Sequence, residues 1–210
     1  MLRHDFGPDH APYAGDYLQV FAATTAAADG IARGDTPEQL WIGEHPLTIT
    51  LGRSLKAQSQ VGVVPAEVPV VTVERGGGAT LHNLGQVVAY PLIQLERRKL
   101  SPVSYLRLLE DAIIAVLAEA GITGQAIAGQ TGVWVGGRKI ASLGVSLISG
   151  VTRHGLAINV SNSLRDFGLI SPCGFSADVM TRVVDLRPGA TFDDYRERLF
   201  AELQTRLAVT

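Results

Sequence analysis

The sequence predicts an α+β fold in a single domain that spans residues 1–210, with a mostly antiparallel sheet and flanking helices. Short β-type segments are interrupted by a few amphipathic helices, without the regular strand-helix alternation of α/β folds. Hydrophobic residues make up 46% of the chain, enough at this length for one sizeable core. The lone cysteine, Cys173, rules out an intramolecular disulfide framework, so this core must hold the fold together.

Charge and hydropathy exclude several classes of function. The 18 Lys and Arg against 20 Asp and Glu give a formal net charge of −2, which lacks the basic excess that nucleic-acid binding requires. No apolar run approaches the roughly 20 residues that cross a bilayer. Residues 1–10 carry Arg3, Asp5 and Asp9 where a signal peptide has its apolar core. We therefore expect no nucleic-acid partner, no membrane association and a cytoplasmic location.

The helices are predicted from their ends. The first covers 16–33, with Asp16 as cap and Gly34 as stop, and the second follows Ser101-Pro102 and stops at Gly121. The last runs from the capping Thr191 to about residue 208. Between the first two helices, β-type runs punctuated by Pro and Gly predict strands at 39–44, 47–51, 68–74, 79–82 and 86–95.

Two hairpins are predicted after the second helix. Gly136-Gly137 separates 133–135 from 138–140 and suits a two-residue turn that needs positive φ. A second strand pair is expected at 143–148 and 154–160, around a turn at 149–152. The first hairpin places Lys139 near the start of its second strand.

The glycine-rich stretch 75–82 is the first candidate for chemistry. It lacks the Gly-Lys-Ser/Thr ending of a phosphate loop, and no helix follows it as in a dinucleotide fingerprint. Residues without Cβ let a ligand lie against main chain, whose N–H groups can meet a carbonyl or carboxylate. An ordinary turn is an equally good interpretation of a glycine cluster.

Lys139 and Cys173 are the second candidate. A cysteine in the turn Ser171-Pro172-Cys173-Gly174 is more exposed than a core cysteine, and a nearby ammonium group would lower the pKa of its thiol. The alternatives are a solvated surface lysine and a small buried cysteine. His82, His154 and Cys173 could also form a zinc site, but no short-spaced pair of ligands supports one, and we expect no metal.

Five ordered motifs carry a resemblance to a known family. They are Arg-Gly-Gly-x-x-Thr-x-His at 75–82, Gly-Gln at 85–86, Lys-Ile-Ala-x-x-Gly-Val at 139–145, His-Gly-Leu-Ala-x-Asn-Val at 154–160 and Pro-Cys-Gly at 172–174. Their order and spacing resemble those of the lipoyl (octanoyl) transferases, and Glu44-His45-Pro46 and Thr-Leu-Gly-Arg at 50–53 extend the likeness. The departures are Leu81, where the family generally has Tyr, and Asn83-Leu84, where it usually has Gly-Pro.

The resemblance implies a fold shared with biotin protein ligases and lipoate ligases. It implies a monomeric enzyme without a cofactor that acts in lipoate biosynthesis. The octanoyl donor would be octanoyl-acyl carrier protein. The acceptors would be specific lysines in the lipoyl domains of 2-oxoacid dehydrogenases and in the glycine cleavage H protein.

The resemblance also implies roles for individual residues. Cys173 matches the acyl-thioester nucleophile and Lys139 its partner base. The residues that match the family's substrate-binding segments are Arg75, Gly76, Gly77, Gly78, Ala79, Thr80, Leu81, His82, Ser142, Leu143, Gly144, Gly155, Leu156 and Ala157.

Two other functions stay open. The chain could be an ATP-dependent lipoate-protein ligase-like enzyme, because the glycine-rich stretch also resembles the loop of those ligases. It could also be a non-catalytic module that binds lipoyl domains or acyl carrier protein. Ligases activate the acid as an adenylate and need no cysteine, so the presence of both Cys173 and Lys139 favours the transferase.

Overall fold

The computed structural model describes residues 1–54, 57–171 and 177–208. In chain order these residues form β1 (Leu2–Phe6), α1 (Tyr17–Arg33), β2 (Gln39–Gly43), β3 (Thr48–Leu51), β4 (Val70–Thr72), β5 (Ala79–His82), β6 (Gln86–Leu92), α2 (Pro102–Glu119), β7 (Gln125–Ile127), β8 (Gln130–Val135), β9 (Arg138–Ile148), β10 (Val151–Asn159), α3 (Val183–Leu186) and α4 (Phe192–Arg206). The predicted α+β class is confirmed.

The strands form two sheets. The larger sheet has seven strands in the order β1-β2-β6-β10-β9-β8-β7, and the smaller has the order β4-β3-β5. In the larger sheet β1 runs parallel to β2 and every other pair is antiparallel, which agrees with the predicted sheet type. In the smaller sheet β3 is parallel to β4 and antiparallel to β5. The division into two sheets was not predicted.

Helices cover both faces of the larger sheet. Apolar side chains of α2 and α4, such as Leu109 and Leu199, pack with Ile42 and Ile158 on one face. On the other face, α1 packs through side chains such as Val20 against a second cluster that includes Tyr90. A third cluster lies beneath the smaller sheet. Tyr90 and Ala157, two sheet residues of this second cluster, also line the candidate site.

The helix ends follow the predicted caps. The Asp16 side chain accepts a hydrogen bond from the N–H of Gln19 at 2.9 Å, and Gly34 has a φ of +82°. Ser101 caps α2 through the N–H of Ser104 at 3.1 Å, and Thr191 caps α4. The first two helices thus begin where their caps predict, because each cap satisfies N–H groups that the first helical turn leaves open.

Strand predictions were less complete. β1 was not predicted, and β9 is one continuous strand of 11 residues where the sequence suggested two shorter ones. The turn after β9 is tighter than expected, because Ser149 and Gly150 adopt φ values of +51° and +78° and close it in two residues. Within the described ranges, no helix combines the length and apolarity that a membrane span requires.

Candidate active site

A cavity opens between the larger sheet, the first turn of α1 and the glycine-rich stretch. We call it the central cavity; its lining residues are Tyr17, Arg75, Gly76, Gly77, Thr80, His82, Tyr90, Ser142, Leu143, Gly144, His154, Gly155, Leu156 and Ala157. The register of β9 and β10 pairs Leu143 with Leu156 and Gly144 with Gly155, so two segments that are distant in sequence form one wall.

Backbone hydrogen bonds fix the glycine-rich stretch as a second wall. The N–H of Gly76 donates to the carbonyl of Val145 on β9 at 3.0 Å, and the N–H of Ser54 donates to the carbonyl of Gly77 at 3.0 Å. A Cβ on Gly144 would lie 2.9 Å from Cδ of Arg75, so a glycine here lets the two walls approach each other. The stretch is therefore a turn and also a lining of the cavity.

The predicted substrate-binding residues are mostly gathered in this cavity. All of them line it except Gly78, Ala79 and Leu81. Gly78 lines a neighbouring cavity, whereas Ala79 and Leu81 are fully buried in the core beneath the smaller sheet. Successive side chains of a strand point to opposite faces, and on β5 it is Thr80 and His82 that face the cavity.

Lys139 lies in the neighbouring cavity, which we call the outer cavity. The outer cavity and the central cavity share four lining residues, Gly76, Gly77, Leu143 and Gly144. Lys139 is only 4% exposed, so it is not a solvated surface lysine. Its Nζ donates to the carbonyl of Thr131 at 2.8 Å and lies 5.5 Å from the ring centroid of Trp134.

Cys173 lies outside the described residues, as do Pro172 and Gly174. The chain on both sides of it contacts the outer cavity. Before it, the N–H of Ser171 donates to the carbonyl of Gln60, which lines that cavity, at 2.6 Å. After it, Met180 forms a parallel bridge with Lys139.

A buried guanidinium group gives the central cavity its charge. Arg75 is 7% exposed and donates from Nη2 to the carbonyl oxygen of Thr50 at 2.7 Å and to its hydroxyl at 2.8 Å. Burial, with a smaller contribution from the Arg75 charge, lowers the pKa of His82 to about 4 and that of His154 to about 3. Both imidazoles are therefore neutral near pH 7.

Hydrogen bonds fix the ring protons of two histidines. Burial lowers the pKa of His45 to about 3, so its ring is neutral; its Nδ1 donates to the carbonyl of Gly15 at 2.6 Å, and its Nε2 accepts from the hydroxyl of Tyr90 at 2.9 Å. His82 donates from Nδ1 to Oε1 of Gln86 at 2.8 Å. This leaves Nε2 of His82 as a hydrogen-bond acceptor.

Three residues of the central cavity were missed as binding residues, namely Tyr17, Tyr90 and His154. The two tyrosines occur where the sequence indicates a helix and a buried strand, so the pattern suggested packing. His154 belongs to a recognised motif, but nothing in the sequence signals its φ of +58°. Among the described residues no group of three His, Cys, Asp or Glu is placed to hold a metal ion; Cys173 lies outside that set.

Comparisons with known sequences indicate one family. The sequence profile of the lipoyl protein ligase A/B catalytic domain matches residues 16–204. An octanoyltransferase of Laribacter hongkongensis is 43% identical over 175 residues, which cover 83% of this chain and 84% of that protein.

Solved structures show the same fold. A bipartite lipoate protein ligase of Thermoplasma acidophilum has a TM-score of 0.70 at 16% identity, with 99% of this chain and 84% of that chain covered. The biotin protein ligase of Aquifex aeolicus has a TM-score of 0.51 at 11% identity, with 86% and 63% covered. The predicted likeness to both ligase folds is confirmed.

Proposed function

The chain belongs to the lipoyl protein ligase A/B catalytic domain family, its curated relatives are octanoyltransferases, and it is an acyltransferase of lipoate biosynthesis. We propose that it moves the octanoyl group of octanoyl-acyl carrier protein onto a lysine of a lipoyl domain, through a thioester on Cys173. The observation that carries this proposal is a buried lysine, Lys139, in the outer cavity, which adjoins the central cavity.

The central cavity suits the acyl chain. Leu143, Leu156, Ala157 and the two tyrosines line it and supply apolar surface. Burying the six methylenes of an octanoyl chain contributes about 5 kcal/mol, at about 0.8 kcal/mol each, before the costs of ordering the chain. We therefore assign the tail to the central cavity and the reacting carbonyl to the outer cavity.

In the first step the Cys173 thiolate attacks the thioester carbonyl of the carrier. The new C–S bond forms, the bond to the carrier's sulfur breaks, and the leaving thiolate takes a proton from the ammonium group of Lys139. Exchange of one thioester for another is nearly balanced in free energy. This step therefore needs no ATP.

In the second step the amine of the acceptor lysine attacks the acyl-enzyme. Neutral Lys139 takes a proton from that amine, an amide bond forms, and Cys173 leaves as the thiolate. Lys139 is thereby returned to its ammonium form for the next cycle. The amide is more stable than either thioester, which drives the transfer forward.

Main-chain N–H groups are the candidates for stabilising the oxyanion in both steps. In the glycine-rich stretch, the N–H of Gly76 is engaged by Val145, and that of Ala79 donates to Oε1 of Gln60 at 2.8 Å. This leaves the N–H groups of Gly77 and Gly78 as the candidates from that stretch. Gly174 is the second candidate and lies outside the described residues.

The wider assignment follows from the family. We propose that residues 1–210 act as one catalytic domain and as a monomer in the cytoplasm. We propose lipoyl domains of 2-oxoacid dehydrogenases and the glycine cleavage H protein as acceptors. The alternative favoured by the fold is an ATP-dependent ligase, since the lipoate protein ligases share this architecture.

Intact mass measured after mixing with octanoyl-carrier protein, without ATP, tests the proposal. We expect one octanoyl adduct on the wild-type chain and none on Cys173→Ser, because a hydroxyl is far less nucleophilic at neutral pH. Adding an apo lipoyl domain should discharge the adduct onto its lysine. An adduct that also forms on Cys173→Ser would contradict the route through a thioester on Cys173, and a strict need for ATP would favour the ligase.

A further inference from the structure

The end of the central cavity away from Lys139 is closed by three side chains. Tyr17, Tyr90 and His154 line the central cavity and also a small cavity behind it, which we call the inner cavity. The inner cavity is completed by Phe21, Thr24, Thr25 and Arg153. The three shared residues therefore form a partition between two spaces.

His154 occupies its place in this partition under strain. It adopts a φ of +58° within β10, in the left-handed region that is uncommon for residues other than glycine. Its ring stacks on Phe21 at a centroid distance of 5.6 Å. Its Nε2 is buried, and within the described ranges of the chain it has no hydrogen-bond partner.

Both features of His154 cost free energy. A left-handed backbone and a buried polar atom without a partner persist only when the surrounding structure imposes them, and such residues cluster where strain serves function. The backbone of His154 pairs with Val145 on β9, and the pairing of β10 with β6 begins two residues later, at Leu156. The ring atom Nε2 takes no part in this pairing, and the distinctive feature of His154 is the place of its imidazole between the two cavities.

The direction in which the acyl chain lies determines which part of it meets the partition, and this direction rests on the proposed function. The outer cavity with Lys139 joins the central cavity at Gly76, Gly77, Leu143 and Gly144. A chain whose thioester lies beside Lys139 extends away from that end. Its terminal methyl group then points toward the partition.

We propose that His154 is a specificity-determining residue whose imidazole closes the central cavity against the inner cavity and so limits the length of the acyl chain. A chain longer than octanoyl meets the ring and cannot bury its last methylenes. Without the ring, the inner cavity becomes a continuation of the central one.

His154→Gly tests the proposal, because glycine adopts the same positive φ without strain and removes the ring. We would measure kcat/KM with octanoyl-, decanoyl- and dodecanoyl-carrier protein. A methylene that becomes buried contributes about fourfold, so two of them contribute about 15-fold. We expect the ratio of decanoyl to octanoyl kcat/KM to rise at least tenfold. His154→Asn, which also tolerates positive φ, should give an intermediate ratio.

Thr25→Ala is the matched control. Thr25 lines the inner cavity and not the central one, so its truncation enlarges the space behind the partition and leaves the partition in place. We expect the ratio for Thr25→Ala to stay within twofold of wild type. A ratio for His154→Gly that also stays within twofold of wild type would overturn the proposal.

Calorimetric binding of free octanoate and dodecanoate, measured on the same variants, separates this inference from the proposed function. If wild type fails to transfer octanoyl, the proposed function is wrong, but a tenfold gain in dodecanoate affinity for His154→Gly still supports the partition. If wild type transfers octanoyl and His154→Gly gains neither decanoyl turnover nor dodecanoate affinity, the function stands and the partition is refuted.

Discussion

The side chain of Lys139 has room because the residue beside it on the neighbouring strand, Gly132, has no Cβ. Gly132 on β8 has a φ of +129°, and a Cβ there would lie 2.6 Å from Cε of Lys139 and 2.5 Å from the carbonyl oxygen of Ala141. The first contact is with a side chain that can move, and the second is with backbone that cannot. Any larger residue at position 132 must therefore displace Lys139, β9, or both.

Gly132→Ala should consequently impair the chemistry as well as the stability. We expect single-turnover acyl transfer to fall at least tenfold, because the Nζ of Lys139 leaves its hydrogen bond to Thr131. The control is Gly136→Ala, in which the alanine must also adopt a positive φ but its Cβ meets no atom within 4 Å. That variant should lose about 1–2 kcal/mol of unfolding free energy and keep transfer within twofold. Equal transfer by both variants would show that Gly132 does not position the lysine.

The residues of the site divide by how the sequence signals them. Lys139, Arg75 and His82 could be predicted as cavity residues because each belongs to a short sequence motif that resembles the family's. Tyr17 and Tyr90 could not, since an aromatic residue on an amphipathic helix or a buried strand is the normal signature of a core. Ala79 and Leu81 share a motif with the cavity residues but face the core, because strand alternation divides the motif between two faces.

At the scale of elements, Asn83 links the β5–β6 turn to the 3₁₀ helix Leu164–Leu169. Its Nδ2 donates to the carbonyl of Ser163 at 2.8 Å and to Oδ2 of Asp166 at 2.7 Å. Its Oδ1 accepts from Nδ2 of Asn162 at 2.9 Å. The departure from the family's usual glycine therefore adds a connection between the β5–β6 turn, which follows His82, and this 3₁₀ helix.

Asn83→Ala should break this connection. We expect a loss of about 1–3 kcal/mol in the free energy of unfolding, because the truncation removes three hydrogen bonds of a buried side chain. Leu84→Ala is the comparison, since Leu84 is 50% exposed and its truncation should cost no more than about 0.5 kcal/mol. Urea unfolding at pH 7 measures both. Matching losses in the two variants would mean that the Asn83 network adds no stability.

Helix boundaries were more predictable than strands for a local reason. A cap and the N–H group that it satisfies lie three residues apart, so a short window of sequence holds the whole interaction. β1 has no such local cause. Its sequence, Leu-Arg-His-Asp-Phe, carries little apolar alternation, and it becomes a strand by pairing with β2, some 37 positions along the chain.

At the scale of the whole molecule, the buried histidines couple folding to pH. In the folded state burial lowers the pKa of His45 and His154 to about 3 and that of His82 to about 4. In the unfolded chain each returns to about 6.5. Between these values the unfolded state binds more protons than the folded state, so stability falls as pH drops below about 6.5.

We expect each of these histidines to contribute up to about 1.4 kcal/mol per pH unit to that slope between pH 4.5 and 6. The hydrogen bond from Arg3 lowers the pKa of Glu197 to about 2, whereas the pKa of a glutamate in the unfolded chain is about 4.5. The stability that this ion pair contributes is therefore lost as the pH falls from about 4.5 toward 2. His82→Gln should reduce this slope by up to about 1.4 kcal/mol per pH unit, which corresponds to one proton fewer taken up on unfolding. Urea unfolding measured at half-unit intervals of pH would show this, and parallel slopes for wild type and variant would contradict it.

The shared position of the outer cavity also governs the order of events during turnover. In the proposed mechanism the acyl chain lies in the central cavity with its thioester beside Lys139, so the carrier that delivers it and the domain that receives it would have to reach the same outer cavity. The carrier would then depart before the acceptor arrives. In that interval the proposed acyl-enzyme would be exposed to hydrolysis by water. The cavity walls would thus protect the acyl-enzyme between the two steps. The lifetime of the acyl-enzyme toward hydrolysis would then set the lowest acceptor concentration at which transfer still outcompetes loss of the octanoyl group to water.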